Sequence, residues 1–286
     1  MKISELYKRG KTVFSLEVFP PKKTAGVETI YETLDGLRDV APDFISVTYG
    51  AGGNVADNKT RSIAEIIKKE YGIESMAHLT CVSTSKADAG AILDDFSAHG
   101  IENILALRGD ISPDRPPKDD FSHASDLASF IKAHGGFDVG GACYPEVHPE
   151  AADSKEDVEN LKKKVDAGAT FLITQLFFDN DCFMRFSERA VKAGVTVPVS
   201  AGIMPVTNKR QIERMVTMCG ASIPRKLAKL MSKYADDPES LAAAGIEYAS
   251  RQIRDLVKEG VSGIHLYTMN NPAVANSIYG DICDLF

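Results

Sequence analysis

The feature that most constrains this chain is an eightfold alternation of short apolar runs with longer helical patterns. The runs with strand character are 13–18 (VFSLEV), 44–48 (FISVT), 75–80 (SMAHLT), 103–107 (NILAL), 138–143 (DVGGAC), 170–175 (TFLITQ), 197–202 (VPVSAG) and 263–267 (GIHLY). Between them lie segments with apolar residues at helical spacing. One is 27–38, with Val27, Ile30, Leu34 and Leu37; another is 206–218, with Val206, Ile212, Met215 and Val216. Such alternation implies a parallel sheet with crossover helices, an α/β fold. Eight units fit a closed (β/α)8 barrel (TIM barrel), typically ~250 residues long, as a single domain over 1–286. A doubly wound open sheet is the rival. Two features favour the barrel: no G-x-G-x-x-G follows the first strand, and the distinctive polar residues stand at the C-terminal ends of many strands, which a barrel collects on one face. The stretch 221–260 holds two or three helices and no strand, so extra helices precede the last strand. Segment 112–120 (SPDRPPKDD) reads as an exposed mobile loop.

Charge and cysteine usage narrow the function classes. With 33 Lys and Arg against 40 Asp and Glu, the net charge is −7, and no global basic footprint invites nucleic acid. No run of eighteen apolar residues spans a membrane, and the N-terminus lacks a signal-peptide core, so a cytoplasmic location is expected. The five cysteines (Cys81, Cys143, Cys182, Cys219, Cys283) include no C-x-x-C pair, which argues for reduced thiols and no metal. Cys81 and Cys143, at the ends of apolar runs, read as buried and inert.

The strand ends carry the chemistry. Glu17 stands among Leu16, Val18 and Phe19. A carboxylate there is either a strand-end Glu paired with a neighbour or a general acid whose pKa an apolar pocket raises. The second strand ends in Thr48-Tyr49-Gly50-Ala51-Gly52-Gly53, where glycines permit close backbone approach to a ligand. The third offers His78, the fourth Arg108-Gly109-Asp110, and the fifth Tyr144-Pro145-Glu146-Val147-His148-Pro149-Glu150. Downstream, Asp157, Asn160 and Lys164 share one helical face, a stripe that is solvated in most proteins. Strand six ends in Gln175 and strand eight in Tyr267.

Taken together, LEVFPP, FISVTYGA, AHLTC, ALRGD, YPEVHPEA, LKKKVDAGA, ITQLFFD, GIMPV and HLYTMN resemble, in order and spacing, the motifs of bacterial-type methylenetetrahydrofolate reductases. The resemblance implies a (β/α)8 barrel that holds FAD at its C-terminal face. It also implies reduction of 5,10-methylenetetrahydrofolate to 5-methyltetrahydrofolate, with NADH or NADPH reducing the flavin first in a ping-pong relay. On that resemblance, Glu17 matches the general acid and Asp110 a carboxylate near both flavin and pterin. Gln175, Gln211 and Tyr267 match folate contacts, and Thr48 a contact to the nicotinamide cofactor. Tyr49, Ala51, His78, Arg108, Gly109, Ala124, Tyr144, His148, Ala151, Asp157, Asn160, Lys163 and Lys164 match flavin-contacting positions. The resemblance departs at two places. Asn271 stands where many members have Arg, and Met215 where some have an aromatic that stacks on the nicotinamide cofactor's adenine. The family's habits imply a homo-oligomer. The alternative is a catalytic subunit whose flavin a partner flavoprotein or ferredoxin reduces.

Overall fold

The computed structural model describes residues 1–21, 29–49, 59–111 and 116–286. Eight parallel strands close into a barrel in chain order: β1 (Val13–Val18), β2 (Phe44–Val47), β3 (Glu74–Thr80), β4 (Asn103–Leu107), β5 (Asp138–Cys143), β6 (Phe171–Thr174), β7 (Val199–Ile203) and β8 (Gly263–Tyr267). Closure joins β8 to β1, with Val13 in register with Gly263 and Glu17 with Tyr267. The helices are α1 (Thr29–Gly36), α2 (Lys59–Lys69), α3 (Lys86–Ala98), α4 (Ala124–His134), α5 (Ser154–Asp166), α6 (Asn180–Lys192), α7 (Lys209–Cys219), α8 (Arg225–Lys233), α9 (Pro238–Lys258) and α10 (Pro272–Ile282). The barrel expected from the alternation is therefore present, and α8 and α9 are the extra helices before the last strand.

Alternation along each strand separates two cores. Phe14, Leu16 and Val18 point outward and pack with helical residues such as Ile30, Ile63 and Ile253. Val13 points inward and meets Phe44, Met76, Leu105 and Phe171. Ile3 and Leu6, from a 3-10 segment at Ile3–Arg9, join that inner cluster and close the N-terminal end of the barrel. The next inward positions on β1 are Ser15 and Glu17, so the interior turns polar toward the opposite end. That gradient places the site.

Several boundaries differ from the sequence reading. The helix expected over 206–218 starts later, at Lys209, because the Asn208 side chain accepts the Gln211 backbone N–H and so caps the helix there. Val206 is instead buried in the exit from β7. The seventh strand runs Val199–Ile203 instead of 197–202, and the sixth loses its first and last expected residues. The first helix ends at Gly36, and Val27 lies outside the described residues. Of the 112–120 loop, residues 116–120 are described. They are exposed, and Lys118 ties them down by donating its backbone N–H to Val82 O and its Nζ to Asp88. Among the described residues no helix is long and apolar enough to cross a membrane.

Candidate functional site

A cleft of about 1130 Å³ opens at the C-terminal mouth of the barrel. Almost every residue singled out in the sequence lines it: Glu17, Thr48, Tyr49, His78, Arg108, Gly109, Asp110, Ala124, Tyr144, His148, Ala151, Asp157, Asn160, Lys163, Lys164, Gln175 and Tyr267. Ala51 lies outside the described residues. Gln211 sits half-buried in the first turn of α7, away from the cleft wall, whereas Met215 and Cys219 of the same helix line it. A second cleft of about 1110 Å³ lies at the other end of the barrel and holds none of these residues.

Glu17 occupies the last inward position of β1. Its backbone is fixed, since its carbonyl accepts the Thr268 hydroxyl at 2.6 Å. The apolar pocket imagined from its sequence neighbours is not what surrounds the carboxyl. Leu16 and Val18 point the other way, and Oε2 faces His78 Nε2 at 3.6 Å and His265 Nε2 at 3.7 Å. Asn270 locks the neighbouring strand ends together by accepting the Phe19 N–H at 3.0 Å and donating to Phe19 O at 2.8 Å.

Burial holds His78 at about 4, with His265 adding to the depression and Glu17 opposing it. Its Nε2 is buried without a hydrogen-bond partner. An unfolded imidazole titrates near 6.5. As pH falls, the unfolded chain therefore takes up this proton first, so His78 makes stability decline between about 6.5 and 4 and adds no slope above. The full difference is of order 3 kcal/mol. Urea melts of the protein and of His78→Asn check this. The variant is expected to lose less stability across that window; identical pH slopes would refute the assignment.

The fourth and fifth strand exits supply charge. Gly109 has φ +84, and a Cβ there would lie 2.9 Å from Thr80 Cβ, so only glycine turns the chain here without strain. Arg108 is engaged by Glu150 through both terminal nitrogens, at 2.5 and 2.7 Å. Tyr144 and His148 meet edge-to-face at 4.6 Å across a loop that carries Val147 at φ 80. Burial raises the Tyr144 phenol to about 12 and lowers His148. On α5, the Asp153 cap starts the helix, and Asp157, Asn160, Lys163 and Lys164 reach the cleft. Burial raises Asp157 and lowers Lys164, whose ammonium donates to Ala142 O. Lys163 donates to Asn160 at 2.9 Å.

Gln175 accepts the Leu176 N–H through its side-chain oxygen at 2.8 Å. Tyr267 donates to Thr174 O at 2.6 Å, and burial raises its phenol. Asn271 is spent elsewhere, capping α10 by accepting the Val274 N–H. The expected inert thiols are present: Cys81 and Cys143 are buried, and burial pushes Cys81 up to about 11 and raises Cys143.

Sequence reasoning missed His265, and it named Glu150 without assigning it a role. Strand alternation carries the signal for the first, since His265 stands two residues before Tyr267 and must share its inward face. Nothing local signals that Glu150 pairs with an arginine 42 positions away.

The methylenetetrahydrofolate reductase family profile matches residues 2–282. A 5,10-methylenetetrahydrofolate reductase of Pectobacterium carotovorum is 39% identical over 270 residues, covering 94% of this chain and 90% of that one. The Arabidopsis thaliana protein named methylenetetrahydrofolate reductase (NADH) 1 is 36% identical over 289 residues, covering 94% of this chain and 48% of its own. Among solved structures, an uncharacterized Clostridium thermocellum protein, described as binding two copies of 5-methyl-5,6,7,8-tetrahydrofolic acid, superposes with a TM-score of 0.69. It covers 99% of this chain and 100% of its own at 14% identity, a likeness of fold alone.

Proposed function

The chain belongs to the methylenetetrahydrofolate reductase family and is an oxidoreductase; from that membership and the barrel mouth we propose an FAD-dependent reaction. In it, 5,10-methylenetetrahydrofolate is reduced to 5-methyltetrahydrofolate with electrons from NADH or NADPH. The observation that carries the proposal is one cleft that joins a carboxyl, Glu17, to three cations, Arg108 (paired with Glu150), Lys163 and Lys164.

The donor set fits the cofactor. A diphosphate needs local cations in this acidic chain, and Arg108, Lys163 and Lys164 provide them. Ala124 opens α4 at the cleft, where first-turn N–H groups favour anions. Leu107, Ile173 and Tyr144 give a ring system apolar wall. FAD, when bound, supplies the hydride relay between nicotinamide and folate.

The chain's own residues do the rest. Glu17 holds a proton for the bridging folate nitrogen, which opens the five-membered ring to an electrophilic iminium. Asp110, exposed on the cleft wall, offers negative charge that favours such a cation. Gln175 and Tyr267 orient the folate. Nicotinamide and folate use the one mouth in turn, a ping-pong order. The name of the Arabidopsis relative supports NADH as donor. Met215, which lines the cleft where some members have an aromatic, favours a second reading in which a partner protein supplies the electrons.

The cofactor assignment is tested by titrating FAD and riboflavin into the protein and into Arg108→Ala, following flavin fluorescence. The variant is expected to bind FAD about tenfold more weakly, through loss of one charge-assisted contact, and riboflavin unchanged. Equal FAD affinity would remove Arg108 from the diphosphate site.

A further inference from the structure

His265 is fully buried inside the barrel, and both of its ring nitrogens have neighbours. Phe44 stacks on it with centroids 6.2 Å apart, and Tyr267 meets it edge-on at 5.4 Å. Nδ1 lies 2.8 Å from Ser15 Oγ, and Ser15 Oγ also lies 3.2 Å from Ile264 O. Nε2 faces Ser46 Oγ at 3.4 Å and Glu17 Oε2 at 3.7 Å. The titratable groups facing this imidazole are Glu17 from β1, His78 from β3 and Tyr267 from its own strand.

A hydroxyl has one proton to give and a carbonyl has none. The Ser15 proton therefore goes to Ile264 O, and the Ser15 oxygen accepts from Nδ1–H. An uncharged imidazole carries a single proton, so Nε2 keeps its lone pair, which faces Ser46 Oγ at 3.4 Å and Glu17 Oε2 at 3.7 Å. We propose that Ser15 locks His265 in the Nδ1–H tautomer, making His265 a positioning residue whose Nε2 lone pair keeps the Glu17 carboxyl protonated. A lone pair repels a carboxylate and attracts a carboxylic proton, so the arrangement favours the acid form of Glu17. His78 presents a second, unpartnered Nε2 to the same oxygen. The inference rests on the proposed role of Glu17 as acid.

Two measurements test it. The first is a long-range proton–nitrogen correlation spectrum of the wild-type protein carrying ¹⁵N-histidine, with His265 assigned by its absence in His265→Gln. The expected result is a proton on Nδ1 of His265, and loss of that preference in Ser15→Ala. A wild-type His265 protonated on Nε2 overturns the proposal. The second is the pH profile of folate reduction by the FAD-loaded enzyme. Ser15→Ala frees the ring to turn a donor toward Glu17, and the His265→Gln amide can do the same. Both should move the alkaline limb about one unit lower, a tenfold loss of kcat at fixed alkaline pH, with KM for the folate little changed. Unmoved profiles in both variants overturn the proposal even if the tautomer is as expected. If Glu17→Gln keeps full folate reduction, it is the acid assignment itself that has failed.

Discussion

Glu17→Gln is expected to lower folate reduction by about 10²–10⁴-fold, the usual contribution of a positioned general acid. Reduction of the flavin by the nicotinamide cofactor should proceed unchanged. The substitution is nearly isosteric, and the backbone is held by Thr268, so the strand has no reason to move. What the variant loses is a transferable proton at an atom flanked by two imidazoles. The two half-reactions, followed separately by flavin absorbance, give the answer. A parallel loss in both would mean that the substitution damages binding or fold, and no loss in either would end the acid role.

The second large effect concerns stability and sets one substitution against itself at two sites. Gly245→Ala, within α9, should destabilise the protein by about 2 kcal/mol, while Gly280→Ala, within α10, should stabilise it by up to about 1 kcal/mol. Helix propensity favours alanine equally at both positions. At Gly245, however, a Cβ would stand 1.9 Å from Val206 O and 2.6 Å from Val206 C, so one backbone must shift. Overpacking of that kind costs more than the propensity gains. At Gly280 nothing lies within 4 Å of the new carbon. Thermal melts should therefore move in opposite directions. A stabilised Gly245→Ala would show that α9 does not pack as closely on the exit from β7 as described.

Much of this architecture was legible in the chain because its signals are local. The strands VFSLEV, NILAL, DVGGAC and GIHLY begin and end where their residues suggest, since each is a short run set between helical or turn patterns. The start of α7 was less legible. Val206 continues the apolar spacing, but the Asn208 cap and tertiary burial of Val206 override it. The same distinction governs the site. That the strand-end residues share one cleft was readable, because a barrel brings strand ends together regardless of their separation in sequence. Its pairings were not. The apolar neighbours of Glu17 suggested an apolar pocket, yet period-two alternation sends Leu16 and Val18 to the helices and leaves Glu17 with His78 and His265. Likewise Arg108 was legible as a cation, but its grip on Glu150 depends on the course of a loop in another βα unit. The departure at Asn271 acquires a physical sense as a helix cap.

Anaerobic stopped-flow absorbance of the FAD-loaded protein, mixed first with NADH and then with 5,10-methylenetetrahydrofolate, follows both half-reactions on the flavin itself. Fast bleaching by NADH or NADPH, followed by reoxidation by the folate, is the expected result. Reoxidation by the folate after chemical reduction, with no bleaching by either nicotinamide, would contradict the direct electron route and favour a partner-fed subunit. A protein that takes up no FAD, or whose reduced flavin ignores the folate, would contradict FAD-dependent folate reduction altogether.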